Sequence, residues 1–282
     1  MNLAFALIPL GFALQAAVLD VPKTLLKTVP AVNQTMAKVN GVEIKMADVE
    51  VLLWEWRKND VLNDLITYQI VKDAAAKENV KITNEEAQAE TKKLIDGIGQ
   101  TLPAGQTIEQ AMEQEGTAPS RLYIRVKTEM LLRKLILKDF APADYVKIST
   151  IVFKPASTSA EDVKVAADRA QRAYLRLTGG EAWDEVLLSV TDDPRARAAL
   201  GSVGWRAKRL FPETTQAEIA KLAKGGITQP SQTANGIQIF RIDALGSGAT
   251  AEEKLELEES YFAGQRQSVM AKLRAEAKVE KF

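Results

Sequence analysis

The 282-residue sequence contains no histidine and no cysteine, and its charge sums to zero, with 37 basic and 37 acidic side chains. Each absence removes a class of chemistry. Without histidine there is no imidazole proton shuttle and no nucleophile–histidine pair. Without cysteine there is no disulfide, no thiolate nucleophile and no lipid-anchored cysteine. With both gone, only carboxylates remain as strong metal ligands, so no zinc or copper site is expected. The balanced charge leaves no electrostatic footprint for nucleic acid; the short basic run Arg206-Ala207-Lys208-Arg209 reads as solvated loop surface. No phosphate-binding loop or dinucleotide fingerprint is present, so no cofactor is expected. A chain free of cysteine suits an oxidising compartment, where a stray thiol is a liability.

What is there is ordinary globular material. Hydrophobic residues make up 46% and charged residues 26%, enough to build real cores. The length suggests about two domains. Residues 2–19 carry no charge and end in the small residues Leu14-Gln15-Ala16-Ala17. Residues 1–19 therefore read as a signal peptide, although the basic residues that usually open one are missing, or as an N-terminal anchor that would bring the chain close to a membrane. Residues 20–35 lack periodicity and read as a linker.

Asn40-Gly41 between two short extended runs predicts a β-hairpin, because both turn positions need positive φ. A helix is expected from about Met46 to Lys58, with Trp54 and Trp56 two apart and so on different faces. A second is expected from about Asp60 to Glu78, with Val61, Leu62, Leu65, Ile66, Ile70, Val71 and Ala74 as one buried stripe. Thr83 with Glu86, and Thr107 with Gln110, are capping boxes, and Gly116 stands where a helix C-terminal cap belongs. A long helix follows from about Pro119 to Lys138, then a hinge around Pro142.

From Lys147 the pattern changes. The strand Lys147-Ile148-Ser149-Thr150-Ile151-Val152-Phe153, the loop Leu200-Gly201-Ser202-Val203-Gly204-Trp205, and the run from Gly225-Gly226-Ile227-Thr228-Gln229-Pro230 through Gly236-Ile237-Gln238-Ile239-Phe240 together resemble a parvulin domain. Parvulins are small peptidyl-prolyl isomerases of FKBP-like fold, and the resemblance implies a βαααββ domain over about 145–246. Helices are expected at about 160–178, 182–190 and 215–224, and closing strands at Thr228–Gln232 and Ile237–Leu245. Gly201, Gly204 and Gly236 are expected to serve turns.

The helical segment before it, with Val80-Lys81-Ile82-Thr83-Asn84-Glu85-Glu86, resembles the N-terminal domain of the SurA and PrsA group of extracytoplasmic foldases. Thr250 to Lys278 reads as one more capped helix. The resemblance implies that this helix completes the helical domain, 36–141 plus 250–282, with Val279 to Phe282 adding a strand to the hairpin. The expected fold class is thus α+β, a helical chaperone domain with a parvulin-like insert.

The same resemblance implies site residues. The two histidines of the parvulin pocket fall on Thr150 and Gln238. The acidic position falls on Asp193, the catalytic candidate if the domain is active; as a bare sequence Asp193-Pro194 is also an ordinary turn start. The aliphatic shelf falls on Leu210 or Phe211, and the shelf phenylalanine falls at Thr214. With both histidines replaced, weak or absent isomerisation is expected. The implied function is an extracytoplasmic folding factor, in the periplasm or cell envelope, whose partners are unfolded polypeptide clients. The rival readings are an active peptidyl-prolyl isomerase and a non-catalytic envelope scaffold with one specific partner. Oligomeric state stays open.

Overall fold

The computed structural model describes residues 21–282, and the apolar segment 1–19 lies outside the described residues. The fold is α+β, in two compact units. One joins the described residues through Lys138 to Arg266–Phe282; the other is Asp139–Gln265. Among the described residues, no helix is long and apolar enough to cross a membrane.

The first unit opens with a hairpin of β1 (Thr35–Val39) and β2 (Val42–Lys45), antiparallel. Its turn residues Asn40 and Gly41 have φ of 50° and 87°, the doubly positive turn that matches strand twist. The chain then enters α1 (Met46–Lys77) without interruption. The break expected between Lys58 and Asp60 does not occur. No glycine or proline lies between Met46 and Lys77, and Arg57 pairs with Asp60 one turn on at 3.4 Å, so nothing there stops a helix.

Helices α2 (Asn84–Gln100) and α3 (Ile108–Gln114) start at the two capping boxes. Thr83 Oγ1 accepts from the Glu86 N–H at 3.1 Å, and the Glu86 carboxylate accepts from the Thr83 N–H at 2.7 Å. Gly116, with φ of 61°, ends α3: its N–H donates to the Glu113 carbonyl and that of Thr117 to Met112, a Schellman closure. Helix α4 (Pro119–Leu137) begins on its proline and packs against α1 and α2. Tyr123, Leu131 and Leu132 of α4 are buried with Tyr68, Val71 and Ala75 of α1. The buried stripe of α1 starts only at Tyr68; Val61 and Leu62, expected in it, are exposed. Asp64 accepts from Arg121 at 2.7 Å and from Arg125 at 3.2 Å, tying α1 to α4.

The second unit is built on a four-stranded antiparallel sheet. In chain order its elements are β3 (Tyr145–Phe153), α5 (Ala160–Thr178), α6 (Trp183–Val190), α7 (Pro194–Ala198), β4 (Ser202–Ala207), α8 (Glu213–Ile219), β5 (Ser231–Thr233) and β6 (Gly236–Leu245). The strand order is β4-β3-β6-β5. The parvulin-like pattern is present with two additions to the βαααββ expectation. The short α7 is one, and β4, in the segment read as a loop, is the other. The third expected helix is α8, which is displaced toward the N-terminus and ends at Ile219. The first closing strand is β5, shorter than expected and beginning at Ser231.

One face of the sheet packs on α5 and α6, with Ile151, Phe153, Ile237 and Ile239 against Ala170 and Leu187. The other face carries Val146, Ile148, Phe240 and Ile242 against Ile219 of α8. Gly201 allows the chain to press against β3. Its φ is 82°, its carbonyl accepts from the Thr150 N–H at 2.8 Å, and a Cβ there would lie 2.8 Å from the Thr150 carbonyl oxygen. Gly236 closes on the same strand, where a Cβ would lie 2.5 Å from the Phe153 carbonyl oxygen.

Helix α9 (Ala251–Glu276) starts at a third capping box, Thr250 with Glu253. Its residues through Gln265 belong to the second unit and those from Arg266 to the first. Within the first unit Arg266 pairs with Glu129 through two hydrogen bonds of 2.8 and 3.1 Å, and Arg274 donates to Thr67. The strand expected at Val279 to Phe282 is not formed, and β1 and β2 stand as a two-stranded sheet. Lys281 instead donates to Asn63, which lies about 25 Å along α1 from the hairpin at a rise of 1.5 Å per residue.

Candidate functional site

The α8 face of the sheet holds a groove of about 440 Å³. Its apolar lining comes from Ile148, Val203, Leu210, Phe211, Pro212 and Phe240, and Gln238 lies at its polar side. Local sequence explains the placement. Strand β6 alternates, so Gln238, Phe240 and Ile242 share one face and Ile237 and Ile239 take the other. Phe211 follows the single turn 208–210 and drops onto Phe240, ring centroids 5.2 Å apart and planes at 85°. That edge-to-face geometry suits the ring quadrupoles.

Arg206 and Asn235 also line the groove, and beside them Gln238 anchors a chain of neutral groups. Val152 pairs with Gln238 and Thr150 with Phe240 across β3 and β6, which makes Thr150 and Gln238 diagonal neighbours on one face. The Gln238 side-chain amide donates to the Thr150 hydroxyl at 3.1 Å, and its carbonyl accepts from the Thr233 hydroxyl at 2.6 Å. Both Thr150 and Gln238 are buried. Neither can titrate, so this part of the groove neither takes up nor releases a proton.

Three of the sequence-derived site residues, Leu210, Phe211 and Gln238, line the groove, and Thr150 is joined to it through its hydrogen bond with Gln238. The other two lie away from it. Thr214 is exposed on α8, and it is the adjacent Thr215 that turns inward and donates to Ser231 at 2.8 Å. Asp193 caps α7: its carboxylate accepts from the N–H groups of Arg195 at 2.8 Å and Ala196 at 3.3 Å, and pairs with Lys154 at 3.2 Å. The backbone hydrogen bonds, with Lys154, hold its pKa below the usual aspartate value.

The neighbouring Asp192 is fully engaged as well. It accepts two 2.8 Å bonds from Arg169 and one of 2.9 Å from the Lys154 N–H. Burial pushes its pKa up, but the Arg169 guanidinium and the other donors outweigh that and hold it below the usual value. Phe240 was not singled out from sequence. Its signal was available, since it lies two residues from Gln238 on a strand and so shares its face. Among the described residues no cluster of three or more acidic side chains is placed to hold a metal ion.

The sequence that builds this unit has known relatives. Residues 151–244 match the family model of the rotamases, the PPIC-type PPIase domain. The second unit is a parvulin domain of the PPIC type. Beyond that domain, the chain is 23% identical over 212 residues to Chaperone SurA of Pseudomonas aeruginosa, covering 67% of this chain and 50% of that one. It is 24% identical over 251 residues to Chaperone SurA of Pseudomonas fluorescens, covering 79% of this chain and 55% of the relative. The chain thus spans about half the length of the curated relatives it matches. Among solved structures, PrsA of Bacillus cereus is similar over 89% of this chain and 95% of its own, at 17% identity and a TM-score of 0.41. The chain is thus similar to Chaperone SurA and contains a rotamase domain, and the sequence resemblance assigns that domain's histidine positions to Thr150 and Gln238.

Proposed function

We propose that the protein is an extracytoplasmic folding factor that binds unfolded or newly translocated polypeptides, and that its rotamase domain serves mainly as a peptide-binding module. The observation that carries this reading is the Gln238–Thr150 hydrogen bond at the edge of an aromatic groove. Rotation about an X–Pro bond has a barrier near 20 kcal/mol. A catalyst lowers it by gripping the proline ring and by favouring the twisted amide over the planar one. The groove supplies the first element: Phe211, Phe240 and Leu210 offer an apolar wall matched to a proline ring. For the second it offers Arg206 at its lining but no titrating group at the Thr150–Gln238 pair. The two positions that carry a coupled histidine pair in the resembling family hold neutral groups bonded to each other. The carboxylate proposed to assist them, Asp193, is committed to α7 and Lys154.

Similarity to Chaperone SurA supports the chaperone half of the reading, and the uncharged segment 2–19 supports the compartment. The test sets two assays side by side: isomerisation of a model prolyl peptide, and suppression of aggregation of a chemically unfolded protein. Isomerisation within a few fold of the uncatalysed rate, with aggregation suppressed, is the expected result. Robust catalysis would replace this reading with an active isomerase. Inactivity in both assays would leave a scaffold with one specific partner.

A further inference from the structure

The groove on the α8 face has a single charged side chain in its lining, Arg206. The basic run 206–209, read from sequence as solvated loop surface, in fact begins inside β4. Arg206 is exposed there, while its neighbours Trp205 and Ala207 are buried. A guanidinium carries five N–H donors. One of them, on Nη1, donates to the Trp205 carbonyl at 2.7 Å, and Arg206 forms no ion pair among the described residues. Elsewhere in the same unit Arg169, Arg176 and Arg241 each hold a carboxylate, on Asp192, Glu181 and Asp243. Arg206 has the same fork of donors and no acid in it.

The surroundings keep the sign. Residues 206–212 carry three basic side chains and no acidic one, in a chain whose charge sums to zero. The nearest acid along the chain, Glu213, opens α8 and does not line the groove. The rest of the polar lining, Thr233, Asn235 and Gln238, is neutral and stands on β5, β6 and the turn between them. Arg206 stands on β4, the opposite edge of the sheet. The groove is therefore polarised. It is cationic at the β4 edge, apolar in the middle over Ile148, Phe211 and Phe240, and neutral on the β5–β6 side.

We propose, on the reading that this groove binds peptides, that Arg206 selects segments carrying an aspartate or glutamate side chain next to the proline. The match is geometric as well as electrostatic. A planar guanidinium with free N–H groups meets a carboxylate through two parallel hydrogen bonds. A lysine at the same place in the peptide meets like charge and is disfavoured. The size of the effect follows from exposure. Arg206 keeps contact with water, so the discrimination belongs at the upper end for exposed pairs, about 5-fold.

Peptides identical but for the two residues flanking one proline test this: both glutamate, both glutamine or both lysine. They are acetylated and amidated, so that side chains alone carry charge. Binding to the full chain is measured by calorimetry at low salt. The glutamate peptide is expected to bind about 5-fold tighter than the glutamine peptide, and the lysine peptide more weakly than either. The ratio should shrink toward one at roughly 0.5 M salt. It should fall to about one in Arg206→Gln and reverse in favour of lysine in Arg206→Glu. Each figure is a ratio within one protein, so a general loss of affinity in a variant does not imitate the result. Equal affinity of the wild type for all the peptides overturns the proposal and leaves the peptide-binding reading standing. A glutamate preference undiminished in Arg206→Gln overturns it too, by placing the selection on another group. Binding of none of the peptides overturns the peptide-binding reading and the proposal with it.

Discussion

The side-chain amide of Gln238 donates to the Thr150 hydroxyl at 3.1 Å across the two central strands of the rotamase domain. In a histidine pair the same positions would titrate near neutral pH. Here they cannot. Whatever isomerisation the wild type retains is therefore expected to be flat in kcat/KM between about pH 5.5 and 8.5. The double variant Thr150→His, Gln238→His should acquire a pH-dependent rate with a midpoint displaced from about 6.5 by burial. A wild-type profile with a transition near neutrality would show that another group governs the chemistry.

The grip on a peptide should rest on Phe211 and not on the position of Thr214. Phe211→Ala removes a groove wall and its edge contact with Phe240. A loss of about 1–3 kcal/mol in binding of a proline-containing peptide is expected, or roughly 5- to 150-fold in Kd by calorimetry. Thr214→Phe, which restores the residue type of the resembling family, should leave Kd unchanged, because Thr214 is exposed and does not line the groove. Tighter binding by Thr214→Phe would mean that α8 turns to present that position.

Local signals were legible in the sequence where their causes are local. The capping boxes at Thr83 and Thr107 form because each needs only four residues, and Asn40-Gly41 makes its turn because φ above zero is a property of those residues. The polar pair was legible too, since two hydrogen-bonding residues on neighbouring strands of one face tend to find each other. What depends on distant partners was not. Leu200 to Trp205 reads as a loop because of its two glycines. It carries the start of β4 because the ladder to β3 shifts register between Ile148 and Ser149 and absorbs them. Val61 and Leu62 share the spacing of Val71, yet only Val71 has α4 to lie against. No helical periodicity distinguishes a residue that is covered from one that is exposed.

Gly201 tests the seam between β4 and β3. Gly201→Ala forces a side chain to φ of 82° and sets its Cβ 2.8 Å from the Thr150 carbonyl oxygen and 2.6 Å from Leu187. A cost of about 2–4 kcal/mol to the rotamase domain is expected. Gly204→Ala has a similar φ, 78°, but open space around it, so only the backbone cost of about 1–2 kcal/mol applies. Amide hydrogen exchange of β3 reads the difference within the full chain. Equal effects of the two substitutions would show that close approach at Gly201 carries no energy.

Asp193 separates a structural role from a catalytic one. Its carboxylate caps α7 through the Arg195 and Ala196 N–H groups, with Lys154 alongside. These donors lower its pKa in the folded state. The unfolded chain then binds the proton more readily. The stability this group contributes is present above the ordinary aspartate pKa and is lost as pH falls through the lower, folded value. Asparagine caps a helix about as well as aspartate, whereas alanine does not. Asp193→Asn should therefore keep most of the domain's stability at neutral pH and lose part of its acid dependence, while Asp193→Ala should be less stable at both. The carboxylate does not line the groove, so Asp193→Asn should leave any prolyl isomerisation at its wild-type rate. Urea unfolding at neutral and acid pH, read beside the isomerisation assay, tests both halves. An Asp193→Asn variant that folds normally but loses a measurable wild-type rate would restore this carboxylate to the chemistry.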